Sequence, residues 1–240
     1  MGPVTLHSYG LLVALGILFA SWYLTKNAFR ISMSSDQIID LILVTTVSGF
    51  ILARIFYVIY DWNYFKEHPI DIVAIWKGGI VFYGGLLGGV FGFLIYTKRT
   101  GQPVLKTLDL FTPAAALAQG FGRIGCFLNG CCYGRPTAGP LGVLFPFSGV
   151  PLHPTQLYDA VFCFLLFAFL AVFYSKNSKH AGRTSFLYFT LHPVGRFVIE
   201  FFRNDMPRMP FGFTLGQWMG IGIFTSAAAC FLILKLKRHD

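Results

Sequence analysis

Long apolar runs recur along the whole length of this chain. Seven of them cover residues 9–24, 38–60, 79–96, 108–128, 155–174, 184–202 and 215–234. A helix of roughly 20 residues crosses the hydrocarbon core of a bilayer, which is about 30 Å thick. The pattern therefore predicts an all-α, polytopic integral membrane protein with about seven transmembrane helices, of which the fourth and sixth are the least apolar.

The composition supports this prediction. Of the 240 residues, 55% are hydrophobic and 12% are charged, against about a quarter charged in soluble domains. We expect a single transmembrane domain over residues 1–240, with short outer segments at 61–78 and 129–154. The first lysine, Lys26, follows the first apolar run, so we expect that run to be mature structure and not a signal peptide.

Lys and Arg residues are unevenly divided between alternate loops, and basic residues in short loops stay on the cytoplasmic side. One side carries eleven of them: Lys26, Arg30, Lys98, Arg99, Lys106, Lys176, Lys179, Arg183, Lys235, Lys237 and Arg238. The other carries Lys66, Lys77, Arg135, Arg203 and Arg208, partly offset by Asp61, Glu67, Asp71 and Asp205. This asymmetry predicts an outer N-terminus and a cytoplasmic C-terminus. Anionic lipid headgroups explain the net charge of +9 better than nucleic acid does.

Three arginines fall within or at the ends of the predicted spans. They are Arg54, Arg123 and Arg196, with Asp159 and Glu200 as the expected acidic counterparts. Each costs at least about 2.5 to 3.5 kcal/mol at the centre of a membrane helix, so such residues usually face a cavity or a partner. Arg54 stays unassigned, because it could pair with Asp40 or reach the surface.

Arg196 and Glu200 are four residues apart, so they share one helical face, and Arg203 continues that face one turn on. One interpretation is a structural ion pair that locks the sixth helix. The other is a binding site, since two guanidinium groups near one membrane surface suit a phosphate. Arg123 adds a third such group.

Glycines surround both Arg123 and Tyr83. Those near Arg123, in G-F-G-R-I-G at residues 120–125, let another helix or a lipid come close to the backbone, although a packed helix whose arginine snorkels outward is the alternative. Glycine pairs at 78–79 and 84–85 flank Tyr83 and favour a non-helical stretch or a close helix contact at the outer end of the third span. An interfacial tyrosine of the aromatic belt is the simpler interpretation of Tyr83 itself.

Cys126, Cys131 and Cys132 form a C-x4-C-C pattern near the end of the fourth span. This pattern lacks the paired spacing of zinc sites and the C-x-x-C of thiol oxidoreductases. We therefore expect small packing residues here and no metal.

Four motifs, in order, resemble the bacterial prolipoprotein diacylglyceryl transferase family. They are G-P-V-T-L-H-S-Y-G at 2–10, the signature at 120–134, H-P-T-Q-L-Y at 153–158 and R-F-V-I-E-F-F-R at 196–203. The resemblance runs from end to end of the chain, and four ordered motifs are far more specific than one.

The resemblance implies a multi-pass transferase of lipoprotein biosynthesis in the bacterial cytoplasmic (inner) membrane, with its active site toward the outer side. Such an enzyme moves the diacylglyceryl group of phosphatidylglycerol onto the cysteine of the lipobox, in the signal peptide of a preprolipoprotein. The product is a thioether, and glycerol 1-phosphate leaves. The implied partners are phosphatidylglycerol, the lipobox signal peptide and membrane lipids, with no metal or organic cofactor.

The resemblance also implies roles for individual residues. Arg123 and Arg196 would stabilise charge on the departing phosphate. The residues that line, brace or support the site would be Tyr9, Asn129, Gly134, His153, Gln156, Tyr158, Glu200 and Arg203.

Two positions depart from the family pattern in a way that concerns the catalytic base. The family usually has His where this chain has Tyr83, and often has Tyr where this chain has His192. One hypothesis is that the two sites exchanged residue types, because an imidazole with a pKa near 6.5 suits thiol deprotonation better than a phenol near 10. A polar helix residue lining the cavity is the alternative for His192.

Further departures concern the acceptor. Cys126 replaces an Asn of the signature, Cys131 replaces an acidic or polar residue, and the segment 135–153 is short. The same lipid donor with another thiol or alcohol acceptor is therefore an alternative. A non-catalytic phospholipid- or anion-binding protein or transporter is another, although internal repeats, which would favour a transporter, are not visible. A membrane thiol oxidase is a further alternative, and it would depend on Cys131 or Cys132.

Overall fold

The computed structural model describes residues 8–74, 78–79, 81–203 and 209–236. Sequence predictions at residues 2–7, Lys77, Ile80, Asp205, Arg208, Lys237 and Arg238, and at the side chain of Lys235, lie outside these residues. The chain forms two compact units. One is Thr25–Thr107, and the other comprises Met1–Leu24 and Leu108–Asp240.

Helices dominate the described residues, as predicted. They are α1 Ser8–Asn27, α2 Ser35–Tyr60, α3 Trp62–Phe65, α4 Phe82–Arg99, α5 Val104–Leu128, α6 Thr155–Asn177, α7 Arg183–Glu200 and α8 Leu215–Leu236. Short 3-10 helices cover Ala28–Ile31, Pro69–Val73 and Pro210–Gly212. Each apolar run coincides with one long helix. The third long helix, α4, begins at Phe82 and not at the predicted residue 79. The reason is that Gly78 and Gly79 have φ of 84° and 81°, which is outside helical geometry.

Three helical segments of the described chain have both the length and the apolarity to cross a membrane: Ser8–Ile31, Ser35–Tyr60 and Thr155–Asn177. Each of them exposes large apolar side chains, and Leu18, Ile59 and Leu165 are 64%, 66% and 66% exposed. Exposed apolar surface of this kind marks a membrane or partner contact. The chain thus has the surface of an integral membrane protein, while the total of seven crossings and their orientation stay predictions, as does the single-domain organisation.

Within the unit Thr25–Thr107, α2 packs closely against α4. The contact is made by small residues: a Cβ at Gly84 would lie 2.6 Å from the carbonyl oxygen of Leu52, and one at Gly88 would meet Ser48 and Gly49. Small residues let two membrane helices approach backbone to backbone. The close contact predicted from the glycines around Tyr83 is therefore present.

Both alternatives that the sequence offered for Arg54 are wrong, because this residue neither pairs with Asp40 nor reaches the surface. It is buried and donates from Nε to the Ile72 carbonyl at 2.9 Å and from Nη1 to the Gly78 carbonyl at 2.6 Å. It also donates to the backbone carbonyls of Asp71 and Gly79. The arginine thus connects α2 to the backbone carbonyls of Asp71, Ile72, Gly78 and Gly79.

In the other unit, helices pack in chain order around α5 and α6. Gly16 of α1 faces Ala118 and Phe121 of α5, and α6, α7 and α8 pack successively. The buried cluster comprises Ala116, Leu166 and Leu170, with Phe162, Phe167, Leu187 and Tyr188 packed against it.

Asp109, near the start of α5, caps the start of α7. Its carboxylate accepts hydrogen bonds from the backbone nitrogens of Gly182 and Ser185 at 2.6 and 2.7 Å, and from the Ser185 hydroxyl at 2.6 Å. A carboxylate at a helix N-terminus satisfies unpaired N–H groups there. This contact holds α5 and α7 together at one end.

The segment 129–154 between α5 and α6 is folded. Strands β1 Val143–Leu144 and β2 Pro151–Leu152 pair antiparallel. Phe145 and Leu152 are buried, and the rings of Phe127, Tyr133 and Phe147 pack around Phe145. The loop that carries two of the cysteines is therefore positioned by its own small core.

We predict opposite results for two neighbouring glycines of α4. Gly88→Ala should lower the free energy of unfolding by about 1 to 3 kcal/mol, because its Cβ would lie 2.9 Å from the Gly49 Cα and force the helices apart. Gly89→Ala should be neutral or slightly stabilising, because its nearest neighbour, Thr45, is 3.7 Å away and alanine favours the helix. Unfolding in detergent checks both, and equal losses would contradict the packing described here.

Candidate active site

A buried carboxylate lies at the centre of the ionisable residues of this unit. Asp159 of α6 is 1% exposed, and its Oδ2 accepts from Arg123 Nε of α5 at 2.8 Å and from Arg196 Nη1 of α7 at 2.9 Å. One oxygen thus joins two arginines from different helices. The acidic counterpart expected from the sequence is confirmed.

Glu200, at the end of α7, extends this network. Its Oε2 accepts from Arg196 Nη2 at 2.8 Å and lies 3.7 Å from Arg203 Nη1, so the predicted face of three residues is present. The hydroxyl of Thr214 donates to Glu200 Oε1 at 3.1 Å. Glu200 therefore connects α7 to the residue that precedes α8.

Among the described residues of this network, three guanidinium groups share two carboxylates. The guanidinium groups are those of Arg123, Arg196 and Arg203, and the carboxylates are those of Asp159 and Glu200. The side chains of Arg123 and Arg196 are 22% and 19% exposed, while both carboxylates are almost fully buried. Partly exposed arginines that buried carboxylates hold in place suit the binding of an anion, and guanidinium forks match a phosphate.

The loop after α5 is fixed to the first turn of α6. Thr155 Oγ1 donates to the Cys132 carbonyl at 2.8 Å, and Gln156 Nε2 donates to the Cys131 carbonyl at 2.6 Å. Gly134 pairs with Arg203 as an isolated β-bridge, and a Cβ on Gly134 would lie 2.5 Å from the Phe202 carbonyl oxygen. Thr155 and Gln156, in the first turn of α6, thus hold the loop that carries Cys131 and Cys132 in place.

The three cysteine sulfurs of this loop lie within 4.8 Å of one another. A hydrogen bond from the Cys126 thiol, helped by Cys131, Arg203 and Arg123, lowers the pKa of the Cys132 thiol to about 5 against the opposing effect of burial. Burial raises the pKa of Cys131. Sequence spacing suggested packing residues here and missed the cluster, because the turn after α5 brings together positions that are five and six residues apart.

Two further predicted residues lie beside this loop. Tyr9 of α1 packs against Gly125 of α5, whose Cβ would lie 3.0 Å from the tyrosine ring, and its hydroxyl is within electrostatic range of Arg123 and the three cysteines. Asn129 directly follows α5, and its side chain partly offsets the effect of burial on the pKa of the Cys131 thiol.

His153 and Tyr158 form a separate polar pair at the start of α6. His153 Nδ1 lies 3.1 Å from the Tyr158 hydroxyl, and both rings contact Phe202. The backbone of His153 bonds Gly134 and Arg135. The pair thus braces the same loop that Thr155 and Gln156 hold.

His192 lies one turn before Arg196 on α7. Its Nε2 is 2.9 Å from Gln119 Oε1, and its ring stacks on Tyr188 at 5.2 Å. An amide oxygen only accepts hydrogen bonds, so Nε2 carries the proton and the basic lone pair lies on Nδ1. Tyr83 lies in the first turn of α4, in the other unit, and its role stays a prediction.

The sequence model of the prolipoprotein diacylglyceryl transferase family matches residues 1–233. The chain belongs to that family. A phosphatidylglycerol–prolipoprotein diacylglyceryl transferase of Clostridium tetani is 42% identical over 205 residues, which cover 83% of this chain and 82% of the relative. A second such enzyme, from Clostridium perfringens, is 36% identical over 97% of this chain and 92% of its own length. A third, from Staphylococcus carnosus, is 32% identical over 99% and 89%.

In this member of the prolipoprotein diacylglyceryl transferase family, sequence reasoning missed Thr214 and the cysteine cluster. Thr214 lies 14 residues beyond Glu200, at a distance where no local pattern connects them. The sequence did contain a signal for the cysteine cluster, because all three cysteines lie at or just beyond the end of the helix that carries Arg123.

We predict that Asp159→Asn destabilises the folded protein by about 3 to 5 kcal/mol, because Arg123 and Arg196 would lose their shared buried counter-charge. Asp40→Asn, at an exposed position of α2, should leave the midpoint of thermal unfolding unchanged. Unfolding curves of both variants in one detergent make the comparison. Equal stability of the two would show that Asp159 does not hold the network together.

Proposed function

We propose that this protein transfers the diacylglyceryl group of phosphatidylglycerol to the lipobox cysteine of a preprolipoprotein and releases glycerol 1-phosphate. The observation that carries the proposal is the cluster of Arg123, Arg196 and Arg203, in which buried carboxylates hold Arg123 and Arg196 while the side chains of these two arginines stay partly exposed. Membership of the family and the names of its relatives support the same reaction.

The arginines act on the lipid headgroup. The side chains of Arg123 and Arg196 are partly exposed, so they hold the phosphate of the donor and stabilise the negative charge that grows as the carbon–oxygen bond breaks. Asp159 and Glu200 position them, since Asp159 Oδ2 accepts from both arginines and Glu200 Oε2 accepts from Arg196 Nη2. The preorganised donors then need no rearrangement during the reaction.

The acceptor side of the site is built from the loop after α5 and the first turn of α6. Gln156 is 1% exposed, and its Oε1 has no hydrogen-bond partner among the described residues. A buried acceptor without a donor costs about 1 to 3 kcal/mol, which a donor on the bound peptide would recover. Tyr9 and Asn129 line this side, and His153, Tyr158 and Gly134 keep the loop in position.

His192 removes the proton from the acceptor thiol through Nδ1. Its place one turn from Arg196 and its hydrogen bond to Gln119 support this assignment, as does Tyr83 at the position where the family usually has His. A paralogue that uses the same lipid with another acceptor is the second candidate, favoured by Tyr83 and by the short segment 135–153. A phospholipid- or anion-binding protein without catalysis is the third.

The membrane location, the orientation and the partners of the protein follow from the same proposed function. The seven long helices cross the bacterial cytoplasmic (inner) membrane with the N-terminus outside and the C-terminus in the cytoplasm, which puts the segments 61–78 and 129–154 at the outer side. Exposed apolar surface on α1, α2 and α6 supports this arrangement. The partners are phosphatidylglycerol, the signal peptide of preprolipoproteins and the surrounding lipids, and nucleic acid is not among them.

We predict that the purified protein in phosphatidylglycerol vesicles adds a diacylglyceryl group to a lipobox peptide, detected by mass spectrometry and matched by glycerol phosphate release. Arg196→Ala should reduce the rate about 100- to 1,000-fold, because it removes donors to the developing charge. Arg99→Ala, an exposed arginine at the end of α4, is the matched control and should keep full activity.

The other outcomes separate the candidates. Headgroup release without peptide modification would point to another acceptor. A folded protein that binds the lipid and yields neither product would establish the non-catalytic candidate and overturn the proposed reaction.

We predict that His192→Phe abolishes turnover and leaves lipid binding intact, because phenylalanine preserves the stacking on Tyr188 but has no basic nitrogen. Turnover is measured as peptide modification, and binding by the quenching of protein fluorescence with a labelled phosphatidylglycerol. Tyr83→Phe in parallel tests the alternative base. Full activity of His192→Phe together with loss in Tyr83→Phe would transfer the role to the tyrosine.

A further inference from the structure

The cysteine cluster has the dimensions of a thiolate metal site. The sulfurs of Cys126, Cys131 and Cys132 lie within 4.8 Å of one another, and those of Cys131 and Cys132 are 3.7 Å apart. A zinc–sulfur bond of about 2.3 Å places two sulfurs of a tetrahedral site about 3.8 Å apart. The cluster is thus close to ligand spacing before any ion is bound.

The backbone of the loop holds the sulfurs in this arrangement. Cys132 has φ of 63°, a conformation that a residue with a side chain adopts only when its surroundings require it. The carbonyls of Cys131 and Cys132 are tied to Gln156 and Thr155 of α6, and the Cys131 nitrogen bonds the Cys126 carbonyl at 3.1 Å. The three thiols are therefore preorganised on a fixed turn.

The charge around the cluster also suits a metal thiolate. Three thiolates on one divalent cation carry a net charge of −1. Arg123 and Arg203 act electrostatically on Cys132, so a complex of that charge is compensated by groups already in place. Thiolate ligands select zinc-class ions over magnesium and calcium.

Three protein ligands leave the fourth position of a tetrahedral zinc site to a water or a substrate. We propose that Cys126, Cys131 and Cys132 bind one zinc-class divalent cation whose fourth ligand is the acceptor thiol of the incoming substrate. The second part of this inference rests on the proposed function, in which the acceptor is a cysteine.

The reaction then balances as follows. The acceptor thiol gives its proton to His192 Nδ1, the base of the proposed function, as it binds the cation, because coordination lowers the pKa of a thiol. A sulfur lone pair forms the bond to the glyceryl carbon, the bond between that carbon and the phosphate oxygen breaks, and its electron pair leaves with glycerol phosphate at Arg123 and Arg196. The resulting thioether is a weaker ligand than a thiolate and dissociates. The cation thus stabilises and positions the thiolate that His192 produces.

The first experiment measures metal binding without any reference to activity. Reduced, metal-free protein in detergent is titrated with Co²⁺ and then Zn²⁺, and the thiolate-to-cobalt absorption band reports occupancy. We expect one ion per chain. Cys126→Ser, Cys131→Ser and Cys132→Ser should each weaken binding by more than about 100-fold, beyond the usual effect of an outer-shell partner, whereas Cys230→Ser on α8 should bind normally.

Cys126→Asn is the second variant, because it restores the residue that the family signature has at this position and should fold. It should lose the ion and keep a normal unfolding midpoint. Absence of stoichiometric binding by the unmodified protein, or undiminished binding by the three serine variants, would overturn the metal site.

The fourth ligand is tested with the cobalt-loaded protein and two lipobox peptides. A peptide with cysteine should strengthen the charge-transfer band, and the same peptide with serine should not. An unchanged spectrum overturns the assignment of the acceptor thiol as ligand. Transfer at full rate by the metal-free protein would overturn the inference and leave the proposed function standing. Stoichiometric binding of the metal without any transfer would support the metal site and overturn the proposed function.

Discussion

The shared oxygen of Asp159 is the contact on which the rest of the site depends. A carboxylate buried to this extent is costly unless it is paired, and it is paired by guanidinium nitrogens from α5 and α7 while it belongs to α6. Three helices are thus joined at one level through charge. Glu200 extends the connection to Arg203 and Thr214, so the loop after α7 and the start of α8 are also held.

The same network explains why a structural ion pair and a binding site are not exclusive interpretations here. Both carboxylates are used to position arginines. The side chains of Arg123 and Arg196 nevertheless stay partly exposed, whereas the carboxylates are buried. A cluster that merely locked helices together has no need of this exposure, whereas a phosphate binds only to arginines that it can reach.

The side of the site next to the arginines is formed by the loop after α5 and not by a helix. Such a loop contains backbone groups that need partners, and α6 supplies them from Thr155 and Gln156. Arg54 does the same for a different loop in the other unit, where it donates to several carbonyls between residues 71 and 79. In both loops, polar side chains from a helix thus provide partners for irregular backbone in a chain with much exposed apolar surface.

Local patterns in the sequence determined the helices and part of the site. Apolar runs of about 20 residues predict helices because burial of backbone polar groups in lipid leaves few other structures. The pairing of Arg196 with Glu200 and the position of Arg203 follow from helical periodicity. The close contact at the glycines of α4 follows from their lack of side chains. The family resemblance added Tyr9, Asn129 and Gly134 to the candidate site, together with the hypothesis that His192 is the base.

Only the tertiary structure decided which residues meet across distances that no local period covers. It joined Arg123 and Arg196 at one oxygen of Asp159, brought Thr214 to Glu200, and directed Arg54 to backbone carbonyls instead of a carboxylate. It also gathered three cysteines whose spacing had argued against a cluster. The physical reason is that such contacts depend on helix packing and on the path of loops, which short-range preferences along the chain do not specify.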